Sequence, residues 1–248
     1  MKKKKSITRR KAILAGLGTA GGLLLLPGCK NSAPPTYGNI LRMGDALTYV
    51  AQRNLLPGQS LAKEYRPDDI SSFPATGTTN PGDRSKRTYN EVYENLHKNG
   101  FKDWTLAIEG QVLKPGNYSL ADLQNLPSRT QITRHTCEEG WTAIAEWKGV
   151  QLSRVLEKSG IKASARFINF YAYDGYVDSI DMLDALHPQT ILAYGMNGAG
   201  LPIAHGAPVR LRVETQIGYK SVKYLQRIVV TDKFVDMGDS GWAWYVGI

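Results

Sequence analysis

Cys137 is the residue whose type and surroundings most favour chemistry in this 248-residue chain. It lies in residues 134–141, with the sequence RHTCEEGW, a stretch that is polar, charged and unlike a core strand. Arg134 or His135 would favour the thiolate if either lies close to the sulfur. A thiolate is a soft ligand that suits a redox metal. Two interpretations remain at this point: a functional thiol, or a buried and inert one.

Cysteine and histidine are too few for most other metal centres. The chain has two cysteines, Cys29 and Cys137, and four histidines. A structural zinc site would require more of these ligands. The C-x-x-C-H pattern of haem attachment and the cysteine set of an iron–sulfur cluster do not occur in the sequence. A hydrolase with a cysteine nucleophile remains an alternative, although no local signature supports it.

The elements that would position Cys137 become clear from Trp104 onward. Alternating apolar residues predict strands, and one of them leads directly to Cys137; these strands fall at 104–108, 130–136, 167–173, 209–213 and 225–230. Spacing and capping residues predict helices at 91–98, from 119, from 152 to a stop at Gly160, and at 180–186. The Asn197-Gly198 pair predicts a hairpin between residues 191–194 and 201–203. Residues 73–82 are rich in turn-forming residues and are predicted to be irregular.

The order of these elements indicates the fold class. Strands and helices follow one another without regular βαβ alternation, and this pattern is typical of a single α+β domain. Within it, Arg210 and Arg212 alternate with apolar residues. On pattern alone, both arginines could lie on the solvent face of a strand.

Residues 1–28 resemble an export leader. A basic segment precedes an apolar stretch at 12–26 that is too short for a secure transmembrane helix. The pair Arg9-Arg10 is typical of Tat export, which carries folded proteins, although an ordinary secretory leader is an alternative. Cys29 follows Gly28 as at a lipoprotein cleavage site, and it is otherwise a bystander. We therefore expect a periplasmic or extracytoplasmic protein whose membrane contact is limited to a lipid on Cys29.

The net charge of +9 arises mainly from the leader. Residues 1–28 carry seven positive charges and no acids, so the remaining chain carries +2. A nearly neutral protein has no electrostatic footprint for nucleic acid, and we expect no nucleic-acid partner.

Three segments together resemble the sulfite-oxidase-type molybdopterin oxidoreductases, in their exported bacterial branch. They are residues 134–150 (RHTCEEGWTAIAEWKGV), 205–212 (HGAPVRLR) and 218–225 (GYKSVKYL), in the order that the family has. The resemblance covers roughly residues 70–232 and implies a mixed-sheet, sulfite-oxidase-like molybdopterin-binding fold. The implied organisation is a leader at 1–28, a tether and N-terminal extension at 29–69, and one oxidoreductase domain at 70–248.

The resemblance implies a molybdenum–molybdopterin cofactor and assigns residues to it. Cys137 matches the single protein ligand of the molybdenum, and a pterin dithiolene and oxo ligands complete the coordination sphere in the family. Residues 89–94 (YNEVYE) resemble a further pterin-contacting segment. Where the methionine-sulfoxide reductase branch has a threonine after the cysteine, this chain has Ala172. The implied cofactor contacts are Asn90, Tyr93, Glu94, Cys137, Ala172, His205, Arg210, Ser221, Val222 and Lys223.

The implied activity is two-electron chemistry of the oxygen-atom-transfer type on a small S-oxide, N-oxide or sulfite-like substrate. Arg134 is expected to steer the substrate beside Cys137. The entrance is expected to include aromatic and acidic residues, namely Tyr173, Asp174, Tyr176, Trp242, Trp244 and Tyr245. Because the chain is expected to lack an attached haem domain, electrons would pass through a separate partner such as a membrane haem protein or a cytochrome c. The alternative is a non-catalytic exported lipoprotein that retains the fold.

Overall fold

The computed structural model describes residues 60–233 together with positions 47, 50, 51, 54 and 55. The predicted leader, Cys29 and the aromatic residues at 242–245 lie outside the described residues. The strands are β1 (Thr105–Gly110), β2 (Gly116–Ser119), β3 (Ser128–Thr136), β4 (Thr142–Gln151), β5 (Phe167–Ala172), β6 (Val177–Asp181), β7 (Ile191–Met196), β8 (Ala199–Gly200), β9 (Arg210–Arg212) and β10 (Leu225–Thr231). The helices are α1 (Glu91–Lys98), α2 (Leu120–Gln124), α3 (Leu152–Ser159) and α4 (Met182–Ala185), with 3-10 turns at Pro67–Asp69, Ile203–His205 and Gly218–Lys220.

Two sheets make up the described α+β fold. The first has the strand order β2-β1-β10-β5-β6 and is mixed, because β1 and β10 pair in parallel and the other neighbours are antiparallel. The second has the order β3-β4-β7-β8, with β9 also pairing with β7, and all of its pairs are antiparallel. The second sheet therefore holds both β3, which leads to Cys137, and β9, which carries Arg210.

The core lies on both faces of the second sheet. Leu192 of β7 joins the main hydrophobic cluster, which also includes Leu106 and Ile108 of the first sheet. Its neighbours Ile191 and Ala193 join a second cluster. Because successive side chains of a strand point to opposite faces, β7 is covered on both sides. Among the described residues, no helix is long and apolar enough to cross a membrane.

Most of the predicted elements are confirmed, and local chemistry explains the exceptions. Helix α1 has the predicted bounds, and Ser119 forms the predicted capping box with Asp122 at the start of α2. The helix predicted at 180–186 is wrong in its first residues, because Asp181 ends β6 and its side chain caps α4.

Three further differences concern the second sheet. Strand β4 was not predicted. The hairpin at Asn197-Gly198 is confirmed, but its second strand is Ala199–Gly200 rather than 201–203. The solvent-face interpretation of Arg210 and Arg212 is wrong, since both side chains are buried.

Candidate active site

A cavity of about 680 Å³ opens beside Cys137. Its walls come from the turn after β3, the turn between β5 and β6, the loop that leads into β9, and the 3-10 turn at Gly218–Lys220 with the residues that follow it. Residues 73–78, which we call the strap, close a further side. The cavity brings together six of the residues implied by the resemblance, namely Cys137, His205, Arg210, Ser221, Val222 and Lys223.

Cys137 is a buried thiol in a tight turn. Its backbone N–H donates to the carbonyl of Trp141 at 2.9 Å, and its carbonyl accepts from Gly140 at 3.1 Å. Its Sγ lies 3.6 Å from Oε2 of Glu138. Burial raises the pKa of the Cys137 thiol, and the charges of Glu138 and Glu139 raise it further. The protein alone therefore does not stabilise a thiolate, which counts against a cysteine nucleophile; a bound metal cation would deprotonate the thiol outright.

Arg134 does not lie at the site. Strand β3 alternates, so Thr133 and His135 are buried while Arg134 is exposed. The cavity is lined by His135 but not by Arg134. The expectation that Arg134 stabilises the thiolate or steers substrate therefore has no structural support, because the period of the strand turns its side chain away from the cavity.

His135 is held as a neutral imidazole at the cavity wall. Its Nδ1 accepts a hydrogen bond from the Arg212 guanidinium at 2.6 Å, which leaves the proton on Nε2. Arg212 is also paired with Glu214 at 2.8 Å, and both side chains are 1% exposed. Burial, with the charges of Arg212 and Arg210, lowers the pKa of His135 to about 2. Gly218 approaches the ring so closely that an added Cβ would lie 2.6 Å from Nε2.

Arg210 and Lys223 bring positive charge to the cavity. Arg210 donates to the carbonyls of His205 at 3.0 Å and Ser221 at 2.9 Å. The ammonium of Lys223 donates to carbonyls of the strap, at 2.8 Å from Thr76 and at a short distance from Thr78. Burial and the neighbouring arginine lower the pKa of Arg210 to about 9 and that of Lys223 to about 8. A buried arginine and a partly buried lysine whose hydrogen bonds go to carbonyls are suited to an anion such as a phosphate.

The other four implied cofactor contacts have partners elsewhere in the fold. Asn90 caps α1 by accepting from the N–H of Tyr93, and the Tyr93 hydroxyl donates to the carbonyl of Ala207 at 2.7 Å. Glu94 forms ion pairs with two cations, those of Arg84 and Lys98. Ala172 is buried in β5. None of Asn90, Tyr93, Glu94 and Ala172 lines the described cavity.

Of the described residues expected at the cavity entrance, two line the cavity and one does not. Asp174 and Tyr176 line the cavity, as expected. Tyr173 does not; it packs against Tyr93, at 5.7 Å between ring centroids. The residues expected at 242–245 lie outside the described part of the chain.

Phe73 is the central site residue that the sequence did not indicate. Its ring contacts those of His135, Trp141, Trp147 and His205, with centroids 5.1 to 5.5 Å apart. Nothing in the turn-rich strap sequence distinguishes this phenylalanine from an ordinary apolar loop residue. The aromatic residues in 134–150 were the only signal that an apolar partner was required.

The protein side chains available as ligands fit a metal that is coordinated mainly by a bound cofactor. Within residues 60–233, no group of three or more His, Cys, Asp or Glu side chains is placed to hold a metal ion. A metal at Cys137 would therefore need most of its ligands from a bound cofactor. The cations of Arg210, which is buried, and Lys223, which is partly buried, supply the charge that a phosphate-bearing cofactor requires.

Comparison with known proteins agrees with this site. Residues 93–237 match the family model of the oxidoreductase molybdopterin binding domain. The chain is 33% identical over 240 residues to a putative protein-methionine-sulfoxide reductase subunit of Azospira oryzae, covering 96% of this chain and 87% of that protein. It is 28% identical over 219 residues to the catalytic subunit of the protein-methionine-sulfoxide reductase of Campylobacter jejuni, covering 74% of each.

A solved structure agrees with the family match. The sulfane dehydrogenase of Paracoccus pantotrophus superposes with a TM-score of 0.51 and 26% identity, over 53% of this chain and 39% of that one. This chain thus spans less than half of the matched chain. The fold is sulfite-oxidase-like, and the cofactor is molybdenum–molybdopterin. The chain therefore belongs to the sulfite-oxidase-type family of molybdopterin-dependent oxidoreductases and is a molybdenum-dependent enzyme.

Proposed function

We propose that this enzyme reduces a small neutral S-oxide of the methionine-sulfoxide type by removing its oxygen atom. The observation that carries the proposal is the charge around Cys137. Glu138 and Glu139 are the charged residues beside the thiol, and the negative charge of each acts to raise its pKa, although the backbone N–H of Glu139 acts to lower it. A neutral S-oxide can approach such a site, whereas the sulfite anion is repelled.

The positively charged side chains near the site do not change the expectation that sulfite is repelled. Arg134 is exposed on the other face of β3. Arg212 is neutralised by Glu214. Arg210 and Lys223 are the residues suited to the cofactor phosphate, so their charge is already matched once the cofactor is present. The names of the relatives from Azospira oryzae and Campylobacter jejuni, both protein-methionine-sulfoxide reductases, support the same substrate class.

The chain's own residues have separate parts in this function. Cys137 would hold the metal, and Arg210 would bind the cofactor phosphate. When bound, the cofactor supplies the two-electron redox chemistry. Glu139 accepts from the indole N–H of Trp141 at 3.1 Å, which fixes that ring at the cavity wall beside Phe73. These two rings would contact the apolar substituents of the S-oxide and exclude water from it.

Comparison of substrates on one loaded enzyme tests the proposal. Initial rates would be measured for methionine-sulfoxide reduction with a reduced viologen donor and for sulfite oxidation with an artificial acceptor. We expect the S-oxide to be reduced and sulfite to be a poor substrate. Efficient sulfite oxidation without S-oxide reduction would contradict the proposal.

We further propose that the enzyme works outside the cytoplasm and exchanges electrons with a separate protein, such as a membrane haem protein or cytochrome c. The twin arginines of residues 1–28 support export in the folded state. The lipoprotein-like Cys29 supports attachment to a membrane surface. Purification of the enzyme from the membrane fraction with a bound haem protein would support this arrangement; a freely soluble cytoplasmic enzyme reduced directly by a nicotinamide cofactor would contradict it.

A further inference from the structure

A buried ion pair lies directly behind the cavity wall. Lys220, on the 3-10 turn at Gly218–Lys220, places its ammonium 2.7 Å from Oδ1 of Asp178 on β6. The two side chains are 0% and 1% exposed. The ammonium also donates to the carbonyl of Ser179 at 2.9 Å, and the Ser179 N–H donates to Oδ1 of Asp178 at 2.7 Å.

Tyr176 connects this pair to the cavity. Its hydroxyl lies 3.0 Å from Oδ2 of Asp178 and 3.1 Å from the carbonyl of Tyr219. Tyr176 itself lines the cavity, as do Gly218 and Glu138, and a Cβ at Gly218 would lie 3.2 Å from Oε2 of Glu138. The side chain of Tyr176 therefore links Asp178 to the cavity.

A pair of this kind is costly to retain as a purely structural contact. Removing two charges from water carries a penalty that the mutual attraction repays only in part, and apolar replacements are often as stable. Burial raises the pKa of Asp178 to about 6 and lowers that of Lys220, so the pair can hold an exchangeable proton near neutral pH. The charged and titratable groups that act on it are Lys220 and Tyr176 directly, Glu138 through Tyr176, and Asp181 and Asp184 through Lys220.

We propose that Asp178 and Lys220 store a proton and that Tyr176 passes it into the cavity during S-oxide reduction. This inference rests on the proposed function, because reduction of an S-oxide consumes two protons and two electrons and yields a thioether and water. The electrons come from the separate donor protein. One proton leaves the Tyr176 hydroxyl for the departing oxygen as the S–O bond breaks, and the tyrosine oxygen takes the stored proton from Asp178. Solvent restores that proton after the thioether leaves, and the second proton comes from water in the cavity.

The hydrogen-bond pattern permits this transfer. With Asp178 ionised, the Tyr176 hydroxyl donates inward to the carboxylate. With Asp178 protonated, the bond reverses and the hydroxyl hydrogen of Tyr176 leaves the carboxylate. The carbonyl of Tyr219, 3.1 Å away, is then its acceptor, and transfer requires the hydroxyl to rotate from that carbonyl towards the cavity. The protonated state of Asp178, which prevails below its pKa, is thus the state that can deliver a proton.

Removal of one hydroxyl tests the path. Tyr176→Phe deletes the connecting group and leaves the ring in place, and Tyr118→Phe is the matched control, because it deletes a buried hydroxyl that pairs with Ser159 away from the cavity. The double variant Asp178→Asn with Lys220→Met removes the store without leaving a buried lone charge. Molybdenum content would be measured for each protein, so that a change in turnover is not mistaken for loss of cofactor.

The first measurement needs no substrate. Infrared difference spectra of the loaded protein after a pH jump would follow the carboxylic acid band of Asp178, which the double variant identifies by losing it. We expect protonation of Asp178 to be at least about tenfold slower in Tyr176→Phe and unchanged in Tyr118→Phe. Equal rates in all three proteins, or no titrating band in the wild type, would overturn the proposed path.

The second measurement is the pH profile of turnover. We expect the wild-type rate of S-oxide reduction to fall as pH rises through about 6, where Asp178 loses its proton. Tyr176→Phe should lower the rate by roughly 100-fold and abolish that limb of the profile. A wild-type rate and profile in Tyr176→Phe would overturn the proton-donor role. A loaded wild-type enzyme that reduces no S-oxide would instead overturn the proposed function, while the infrared rates would still decide the path.

Discussion

Cys137 illustrates how a single residue acquires its function from its neighbours. The thiol lies against a carboxylate rather than a cation, so its pKa is raised and its reactivity as a free nucleophile is low. The same surroundings suit a thiolate that forms on binding a metal. The residue is thus poorly suited to hydrolysis and well suited to the role that the family gives it.

His135 should make the folded protein measurably less stable in acid. Its folded pKa of about 2 lies below the ordinary value of 6.5, so below pH 6.5 the unfolded chain binds the extra proton. Stability should therefore be complete above pH 6.5 and decrease with falling pH by about 1.4 kcal/mol per unit from this residue. Urea unfolding between pH 6.5 and 5 should show a smaller slope for His135→Gln than for the wild type.

The difference between the two slopes of unfolding free energy against pH reports the effect of His135 alone. The lowered pKa of His205 acts in the same direction, and the raised pKa of Asp178 acts in the opposite one. Both residues are common to the two proteins, so their effects cancel in the difference. Identical slopes would show that folding does not lower the pKa of His135.

Gly218 provides a test of the close approach at the cavity wall. An alanine Cβ at this position would lie 2.6 Å from Nε2 of His135 and 3.2 Å from Oε2 of Glu138. Gly218→Ala should therefore cost roughly 1–3 kcal/mol of unfolding free energy and reduce molybdenum content. Gly116→Ala is the control, because a Cβ there meets nothing within 4 Å. Equal stability and metal content in the two variants would contradict the geometry.

At the scale of elements, the strap is fixed by contacts that span the chain. Lys223 donates to the carbonyls of Thr76 and Thr78, and the hydroxyl of Tyr224 donates to the carbonyl of Thr78 at 3.0 Å. Phe73 anchors the start of the strap among four aromatic rings. The Lys223 ammonium therefore holds the strap, in addition to the phosphate-binding role that the sequence resemblance implies.

Loss of the Lys223 ammonium should release the strap. Lys223→Met is expected to make residues 73–78 susceptible to limited proteolysis and to speed the loss of cofactor during gel filtration. Lys223→Arg should preserve part of the protection, and the exposed Lys102→Met should behave as the wild type. Protection of the strap in Lys223→Met equal to that in Lys102→Met would mean that Phe73 and Tyr224 suffice to hold it.

The elements also show what the sequence could and could not predict. Hydrophobic periodicity and capping residues are local features of the sequence, so α1, the start of α2 and most strands can be predicted from the sequence. Strand β4 is hard to recognise in the sequence because buried positions such as Ala143 and Ala145 are small, and because the apolar Ile144 lies between them on the less buried face. The change from strand to helix at Asp181 depends on one capping side chain, which periodicity does not detect.

The site residues likewise separate into those that the sequence indicates and those that only the structure shows. Cys137, Arg210 and the run 221–223 were found because a family motif marks them, and the cavity contains them all. The direction in which the Arg134 side chain points is set by the register of β3 against β4, in which Arg134 pairs with Ile144. The network of Tyr176, Asp178 and Lys220 joins residues more than 40 positions apart, and only the tertiary structure brings them together.

For the whole molecule, the leader gives a prediction that the described residues leave untested. Because a twin-arginine leader exports folded protein, the enzyme is expected to bind its cofactor before export. Replacing Arg9 and Arg10 by lysine keeps the charge and should retain the loaded enzyme in the cytoplasm. Replacing Lys3 and Lys4 by arginine is the control and should leave export unchanged. Export of the first variant, assayed by cell fractionation, would favour an ordinary secretory leader.

The central claim concerns the metal, and its most direct test is molybdenum content. The enzyme expressed with its native leader would be purified beside Cys137→Ala and analysed for molybdenum by mass spectrometry and for pterin by fluorescence after denaturation. The account predicts about one molybdenum per wild-type chain, loss of the metal in Cys137→Ala, and folded protein in both by circular dichroism. Well-folded wild-type protein without molybdenum, or undiminished molybdenum in Cys137→Ala, would contradict it.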